Sequence, residues 1–172
     1  EHLINEFFEI TRFNLQSIIL EKDSIPLNYM LMQVADEFYP LLTPRGQKAI
    51  VHIDGDITIY ADGNKLARVF NNILKNAMAY SDPNSTIEIS AKNENNETLI
   101  SFSNTGKTIP PEKLKMIFEK FYRLDNARST QTGGAGLGLA ISNEIVQAHG
   151  GTITATSSNE KTVFTVMIPG NS

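Results

Sequence analysis

The chain has 172 residues, 41% of them hydrophobic, which is enough to bury one substantial core and indicates one globular unit plus a short appendage. Its 15 basic and 19 acidic residues give a formal net charge of -4, so it lacks the basic excess that binding to a nucleic-acid backbone requires, and we expect no nucleic-acid partner. There is no cysteine, which excludes disulfides and thiolate metal sites and favours a reducing compartment such as the cytoplasm.

The first segment, residues 1–22, has the apolar spacing of an amphipathic helix. Such a helix can pack on its own domain, or it can be the end of a longer helix that pairs with another subunit. Because the pattern already runs at Glu1, with no methionine before it, we expect a fragment whose parent carries any membrane anchor upstream. No apolar run approaches the roughly 18 residues that span a bilayer, so we expect no direct membrane contact by this chain.

The next region predicts one helix and two strands. Ser24 followed by Pro26 resembles a helix start, and an apolar stripe continues from there to about Leu42. Residues 48–54 and 58–61 contain β-branched and alternating apolar residues, and a glycine lies in the break between the two runs. We therefore expect two short strands there.

A central helix is predicted after these strands. Asp62 can cap its N-terminus, and apolar residues then recur at helical spacing to about Tyr80. The pattern alternates over residues 85–92 and again over 98–103, with a polar segment between the two runs. This combination predicts a β-hairpin that follows the central helix.

A short helix and a long loop are predicted next. Pro110 and Pro111 are typical of a helix start, and we expect that helix to run toward Phe118. Residues 123–135 are polar, end in glycines and have neither helical nor strand periodicity. We expect them to form a mobile loop.

The C-terminal part predicts one helix and two strands. Helical spacing returns over residues 137–149 and stops at two glycines, which are typical of a helix end. Strand patterns follow over residues 152–156 and 162–168. The chain is therefore expected to be α+β, with helices packed on a mostly antiparallel sheet in two layers.

The central helix contains three asparagines in the run NNILKNA, although asparagine is a mediocre helix former. Asn72 and Asn76 are four residues apart, so their amides project from one face of the helix. The amide oxygens could meet a hard cation such as magnesium, which keeps most of its waters and bridges phosphates. A hydrated helix face without a ligand would produce the same pattern.

A glycine-rich run, GGAGLGLAI, stands immediately before the last predicted helix. Its glycines allow close approach of the backbone, and the exposed NH groups and the helix dipole favour an anion such as a phosphate. No Gly-Lys-Ser or Gly-Lys-Thr follows, which excludes a P-loop, and the position in the chain excludes a dinucleotide-binding fingerprint. The run is either a phosphate cradle or an ordinary loop-to-helix joint.

A polar side chain stands at the end of the second hairpin strand, before a threonine–glycine bend. Asn104 could read the edge of a nucleobase there, with Ile109 and Tyr80 as apolar walls, or the segment could be a turn without a ligand. Arg123 and Arg128 frame the polar loop, and their guanidinium groups could close over a triphosphate or simply be solvated.

The order and spacing of these motifs resemble the sensor histidine kinases, whose nucleotide-binding fold is shared with type II topoisomerases, the chaperone Hsp90 and the mismatch-repair ATPases. NNILKNAMAYS is similar to the N box of that family, SNTGKTIP to its first glycine box, FEKFYRLD to its F box and GGAGLGLAI to its second glycine box. The similarity covers about residues 25–169 and is greatest to the vancomycin-resistance sensor kinases of the VanS type. It implies a Bergerat fold, a two-layer α/β sandwich with a mixed, mostly antiparallel sheet and a flexible ATP lid.

The resemblance also implies the ligands, ATP and Mg²⁺, and the residues that hold them. Asn76 matches the magnesium ligand, and Asn72 matches its neighbour near the phosphates. Asn104 matches the position at the adenine amino group, and the lid residues Arg123 and Arg128 join Asn72 as the catalytic residues. By the same resemblance, Gly106 allows close approach, the later glycines form the lid hinge and Thr162 lies at the rear of the adenine pocket. The full set of other matching nucleotide-binding positions is Tyr80, Gly106, Ile109, Gly134, Gly136, Leu137, Gly138 and Thr162.

Two positions depart from the family pattern. The family usually has aspartate where Asn104 stands, and an amide accepts a hydrogen bond from adenine less strongly than a carboxylate does, so we expect a modest affinity for ATP. Thr108 replaces the second glycine of the first glycine box, which raises a question about the loop geometry.

The function implied by the resemblance is transfer of the γ-phosphoryl group of ATP to a histidine on an upstream dimerisation domain, for relay to a response regulator that controls vancomycin resistance. Residues 1–22 would be the end of the dimerisation helix or a linker, and residues 23–172 the catalytic domain. The intact protein would be a membrane-anchored homodimer with this domain in the cytoplasm. His2, His52 and His149 do not match the acceptor motif, so we expect no autophosphorylation by this chain alone.

Two other functions remain open. The related ATPases have a glutamate that activates water where this chain has Asn72, and an amide cannot act as a general base, so hydrolysis should be slow. The departures at Asn104 and Thr108 suit a module that senses ATP without phosphoryl transfer. An ATPase or a serine kinase of the same superfamily is the second alternative.

Overall fold

A computed structural model describes residues 18–118 and 136–170 of the chain. Within these residues the chain forms seven strands, four helices and one short 3-10 turn. The elements are β1 (Asp23–Pro26), α1 (Leu27–Leu42), a 3-10 turn (Thr43–Arg45), β2 (Lys48–Ile53), β3 (Thr58–Ala61), α2 (Gly63–Tyr80), β4 (Thr86–Glu94), β5 (Glu97–Thr105), α3 (Pro111–Leu114), α4 (Gly136–Ala148), β6 (Thr152–Ser158) and β7 (Lys161–Pro169).

The main sheet has five strands in the order β2-β4-β5-β7-β6. The β2–β4 pair is parallel, and the other three pairs are antiparallel. A separate two-stranded sheet pairs β1 with β3. The predicted mixed, mostly antiparallel sheet is therefore confirmed, and so is the α+β class.

The helices cover one face of the main sheet. Alternate residues of β5 and β7 are buried toward the helices because side chains of a strand point to opposite faces in turn. Phe102 of β5 and Phe164 of β7 lie opposite each other in the register and are almost completely buried. Helices α1, α2 and α4 supply the other half of this core, which gives the two-layer arrangement that the sequence predicts.

The central helix forms for the reason that the sequence suggests. Asp62 precedes α2, and its Oδ1 accepts a hydrogen bond from the backbone NH of Lys65 at 3.1 Å, which satisfies one of the free NH groups of the first turn. The hairpin after it closes through Asn95 and Asn96, whose φ angles of 54° and 61° suit a tight two-residue turn.

Two predictions for the first third of the chain need correction. Ser24 does not begin a helix, because Asp23–Pro26 form β1, whose backbone pairs with Thr58–Ala61, and α1 begins at Leu27. The N-terminal helix predicted over residues 1–22 falls mostly outside the described residues, and residues 18–22 are not helical.

The two short strands predicted around Gly55 are confirmed, but they belong to different sheets. Strand β2 pairs with β4, whereas β3 pairs with β1. The loop predicted over residues 123–135 lies outside the described residues. No helix in residues 18–118 and 136–170 has the length and apolarity needed to cross a membrane.

Candidate nucleotide-binding site

The end of the main sheet beside α2 carries a row of polar side chains on the face that packs against the helices. Asn104 of β5 lies directly opposite Thr162 of β7, and Thr162 lies directly opposite Ser157 of β6. The same faces of these strands are apolar further along, where they form the core. The row therefore lies at one end of a sheet face whose centre is apolar.

Asn104 is the most unusual member of this row. Its side chain is only 2% exposed, and neither its amide oxygen nor its amide nitrogen has a hydrogen-bond partner among the residues that the structure describes. A buried polar atom without a partner costs about 1–3 kcal/mol, so proteins seldom keep one without a reason. A ligand that offers both a donor and an acceptor would remove this cost.

The hydroxyl groups next to Asn104 are bonded to each other. The Oγ atoms of Ser157 and Thr162 lie 2.8 Å apart, and either can be the donor. The backbone NH of Ile109 donates to Ser157 Oγ at 2.9 Å, which holds the loop after β5 over the end of β6. Ile109 is buried, and its backbone contact places it beside this row.

The segment after Asn104 is anchored on the β6–β7 turn. Gly106 NH donates to the carbonyl of Glu160 at 3.0 Å, and the NH of Glu160 donates to Thr108 Oγ1 at 2.7 Å. Thr108 does not take a positive φ, so the replacement of glycine there causes no backbone strain. Its hydroxyl instead stabilises a turn in which Glu160 itself has a φ of 61°.

Gly106 also brings the end of α2 close to the end of β5. A Cβ atom at Gly106 would lie 2.2 Å from the carbonyl oxygen of Tyr80, so only glycine fits. The NH of Asp82 donates to the carbonyl of Thr105 at 2.9 Å and reinforces the same contact. Because Asn76 lies one helical turn before Tyr80, the asparagines of α2 approach the same end of the sheet as Asn104.

The two asparagines of α2 are held in defined orientations. Asn76 is buried, and its Nδ2 donates to the carbonyl of Asn72 at 2.8 Å. Because a carbonyl can only accept, this bond identifies the nitrogen and leaves Oδ1 of Asn76 as the atom that could meet a cation. Asn72 Nδ2 donates to Ser142 Oγ on α4 at 3.3 Å, and Ser142 is fully buried.

Of the other predicted site residues, the structure describes some and not others. Gly136, Leu137 and Gly138 are the first residues of α4, so the second glycine box does open a helix. Helix α4 packs against α2, which carries the asparagines. Gly134, Arg123 and Arg128 lie outside the described residues.

The start of α2 and the end of α4 meet in a polar cluster away from Asn104. The NH of Asp62 donates to His149 Nε2 at 3.1 Å, and His149 Nδ1 donates to the carbonyl of Ile145 at 2.9 Å. Burial lowers the pKa of His149 and outweighs the opposing effect of its hydrogen bond to Ile145. The imidazole is therefore neutral, and its role in this cluster is structural.

Asp62 is ionised within this cluster. Its burial alone would raise the pKa of the carboxyl, but hydrogen bonds from the backbone of Glu21 and Lys65, together with the charge of Lys65, lower the pKa below its ordinary value. The bond from Glu21, 2.9 Å long, ties the segment that precedes β1 to the N-terminus of α2.

Three supporting residues escape sequence analysis. Gln47 is buried, and its Nε2 donates to the carbonyls of Met78, Ser81 and Asp82, which caps the C-terminal end of α2. Ser142 and Ser157 each bond to a predicted site residue. No local pattern identifies these three side chains, because their partners lie far away in the chain.

Comparisons with known proteins show the family of the chain. The family described as histidine kinase-, DNA gyrase B- and HSP90-like ATPase matches residues 61–172. Sensor protein VanS of Enterococcus faecium is 59% identical over 98% of this chain and 44% of its own length. Sensor protein VanSC of Enterococcus gallinarum is 43% identical over 98% of this chain and 46% of its own length.

A solved structure shows the same fold. The catalytic domain of histidine kinase ThkA superposes with a TM-score of 0.78 at 26% identity, covering 87% of this chain and 95% of that domain. The chain spans about half the length of the curated relatives it matches. It belongs to the histidine kinase-, DNA gyrase B- and HSP90-like ATPase family, and within that family it is similar to the catalytic domains of VanS-type sensor histidine kinases.

Proposed function

We propose that this domain binds Mg-ATP and transfers the γ-phosphoryl group to a histidine on an upstream dimerisation domain, for relay to a response regulator in a vancomycin-resistance pathway. The observation that carries the proposal is the buried amide of Asn104, which has no hydrogen-bond partner among the described residues and stands on the strand end that meets the end of α2. Family membership supports ATP as the nucleotide. The relatives named VanS and VanSC support the wider role.

The adenine ring would be held at the polar end of the sheet. Asn104 would accept a hydrogen bond from the adenine amino group, and Thr162, which lies opposite Asn104, would form the rear of the site. Ile109 would close one apolar side, and Tyr80 the other. Gly106 keeps the end of α2 against β5, so that the base and the phosphates can be bound by adjoining elements.

Asn76 would hold Mg²⁺ through Oδ1, the amide atom that its bond to Asn72 leaves available. An amide oxygen suits Mg²⁺, which prefers oxygen ligands and usually takes only one or two from the protein, with phosphates and water completing its shell. When bound, the ion would neutralise negative charge that develops on the phosphates. Asn76 thus fixes the phosphate end of the nucleotide relative to Asn104.

Asn72 would orient the phosphates and would not activate water. Its side chain is held by Ser142, and an amide has no basic atom that could take a proton. Phosphoryl transfer depends mainly on positioning and charge stabilisation, so a domain with these groups can act once a histidine is presented to it. This arrangement favours transfer over hydrolysis.

The proposal also includes a lid over the phosphates and the place of this domain in the intact protein. Gly134, Arg123 and Arg128 would form the lid over the γ-phosphoryl group, together with Gly136, Leu137 and Gly138 at the start of α4. Residues 1–22 would be the end of the dimerisation helix or a linker, and residues 23–172 the catalytic domain. The intact protein would be a membrane-anchored homodimer that presents this domain to the cytoplasm.

The test is a titration with ATP, in the presence and absence of Mg²⁺, of the original chain and of Asn76→Ala. Loss of the amide oxygen should weaken the magnesium-dependent part of binding by about tenfold or more, since hydrogen bonds and ligands of charged groups are worth about 1.5–3 kcal/mol. Asn64→Ala, which removes an exposed asparagine from the same helix, is the matched control and should bind as the original chain does.

Transfer is tested by adding the separately produced dimerisation domain and detecting acid-labile phosphate on it. Label should appear on that domain with the original chain and Asn64→Ala, and should be reduced with Asn76→Ala. Tight Mg-ATP binding without phosphohistidine would favour a nucleotide-sensing module. Rapid release of phosphate, or acid-stable label on serine, would favour an ATPase or a serine kinase.

A further inference from the structure

No residue that the structure describes holds the amide of Asn104 in one orientation. Both of its polar atoms are buried, and neither has a partner among residues 18–118 and 139–170. This contrasts with Asn76, whose nitrogen is identified by its bond to the carbonyl of Asn72. The Asn104 amide can therefore rotate by half a turn and exchange its donor and acceptor positions.

The side chain opposite Asn104 has the same freedom. Thr162 pairs with Asn104 across β5 and β7, and its hydroxyl either donates to Ser157 or accepts from it. The NH of Ile109 supplies one hydrogen bond to Ser157, so the contacts among the described residues do not determine the direction of the bond between the two hydroxyls. Both groups at this position can donate or accept.

We propose that Asn104 lets this nucleotide site accept 6-oxopurine nucleotides as well as adenine nucleotides, an inference that rests on the proposed function. In the proposed function, Asn104 meets position 6 of the base. Adenine has an amino donor at that position, which the carboxamide oxygen can accept. A 6-oxopurine has the acceptor O6 at the same position, to which the carboxamide nitrogen can donate after the amide rotates. One side chain thus pairs with either base through one hydrogen bond at this position.

A carboxylate at this position would discriminate between the two bases. It can accept from the adenine amino group, but it has no hydrogen to donate to O6 of a 6-oxopurine. Two acceptors would then face each other in a buried place, where an unmade hydrogen bond is costly. Asn104→Asp should therefore retain adenine nucleotides and reject 6-oxopurine nucleotides.

The experiment compares the dissociation constants of ADP and of inosine diphosphate by calorimetry, in the presence of Mg²⁺. For the original chain, the two constants should differ by less than about tenfold, because each base makes the same number of hydrogen bonds. For Asn104→Asp, their ratio should rise by about tenfold or more through loss of inosine diphosphate. The measurements are made at pH 8, because burial raises the pKa of a carboxyl.

Asn95→Asp is the matched control. It adds the same negative charge in an exposed hairpin turn at the opposite end of β5, and aspartate tolerates the positive φ of that turn. Its ratio of dissociation constants should equal that of the original chain. A general electrostatic effect of the added charge on the phosphates would lower the affinity for both nucleotides equally and leave the ratio unchanged.

Asn104→Ala keeps the inference testable if the aspartate variant does not fold. Removal of the amide should weaken both nucleotides by similar factors, within about threefold of each other, since both use it. Two outcomes would overturn the inference while ADP binding still supports the proposed function. In one, Asn104→Ala does not affect the binding of inosine diphosphate. In the other, the original chain binds inosine diphosphate as weakly as Asn104→Asp does. Absence of ADP binding by the original chain would overturn the proposed function itself.

Discussion

At the scale of single residues, the site depends on contacts that leave no room for a side chain. Gly106 is the clearest case, because the carbonyl of Tyr80 occupies the place where a Cβ would be. Its φ is not positive, so its role is steric and not conformational. The chain therefore uses glycine here to bring the end of α2 against β5, the two elements that carry Asn76 and Asn104.

Gly106→Ala should lower the free energy of unfolding by about 3 kcal/mol, because overpacking against backbone forces the two elements apart. It should also weaken ATP binding, since Asn76 and Asn104 would move relative to each other. Gly55→Ala is the control: a Cβ there meets no atom within 4 Å, so it should cost only about 1 kcal/mol through its φ of +77° and leave ATP binding unchanged. Chemical denaturation and calorimetry measure both effects, and equal costs for the two variants would contradict the steric role.

At the scale of elements, α2 is held at both ends by side chains from other parts of the chain. Gln47 caps its C-terminal end through three carbonyls. Asp62 caps its N-terminal end and also accepts from the backbone of Glu21. A helix fixed at both ends can present Asn72 and Asn76 at constant positions, which the proposed binding of phosphates and a cation would require.

Asp62→Ala should lower the free energy of unfolding by about 2 kcal/mol, because it removes a helix cap and leaves two backbone NH groups without their acceptor. Asp36→Ala on the exposed face of α1 is the control and should change stability by less than about 0.5 kcal/mol. Urea denaturation monitored by circular dichroism measures both. A cost for Asp62→Ala no larger than that for Asp36→Ala would show that the cap contributes nothing.

At the scale of the whole molecule, the cluster of Asp62 and His149 joins parts of the chain that are 87 residues apart. It connects the start of α2 to the end of α4, the helix that follows the second glycine box. Because His149 Nε2 accepts the bond from Asp62, protonation of the imidazole would break this connection. The stability of the domain should therefore depend on pH through His149.

The pKa of His149 in the folded state is lower than its usual value of about 6.5, mainly through burial. Below about pH 6.5, the unfolded chain takes up a proton that the folded domain does not bind. The contribution of His149 to the free energy of unfolding is therefore fully present above about pH 6.5 and is lost as the pH decreases toward the lower folded-state pKa. Denaturation between pH 7.5 and about 5.5 should show a decline with a slope of up to about 1.4 kcal/mol per pH unit.

His149→Gln should flatten this decline, whereas His52→Gln, which removes an exposed histidine of β2, should keep it. Asp62 does not contribute in this range, because its pKa is lowered from 3.8 and it stays ionised. An equally steep decline in His149→Gln would assign the pH dependence to other groups.

Local pattern determined most of the elements and the order of the motifs. Asp62 as a cap, the helix that ends at Tyr80 and the hairpin around Asn95 all follow from short-range rules, because capping, periodicity and turn preferences act over a few residues. Strand β1 was missed for the opposite reason. Its four residues include Pro26, and only pairing with Thr58–Ala61 makes them a strand.

The sequence by itself determined which residue types the site contains, because the asparagines and glycines stand at spacings typical of a nucleotide-binding family. Only the tertiary structure decided how they are supported. Strand register placed Thr162 and Ser157 beside Asn104, and helix packing placed Ser142 against Asn72. Register and packing join residues far apart in the chain. They also bury the Asn104 amide without a hydrogen-bond partner among the residues that the structure describes.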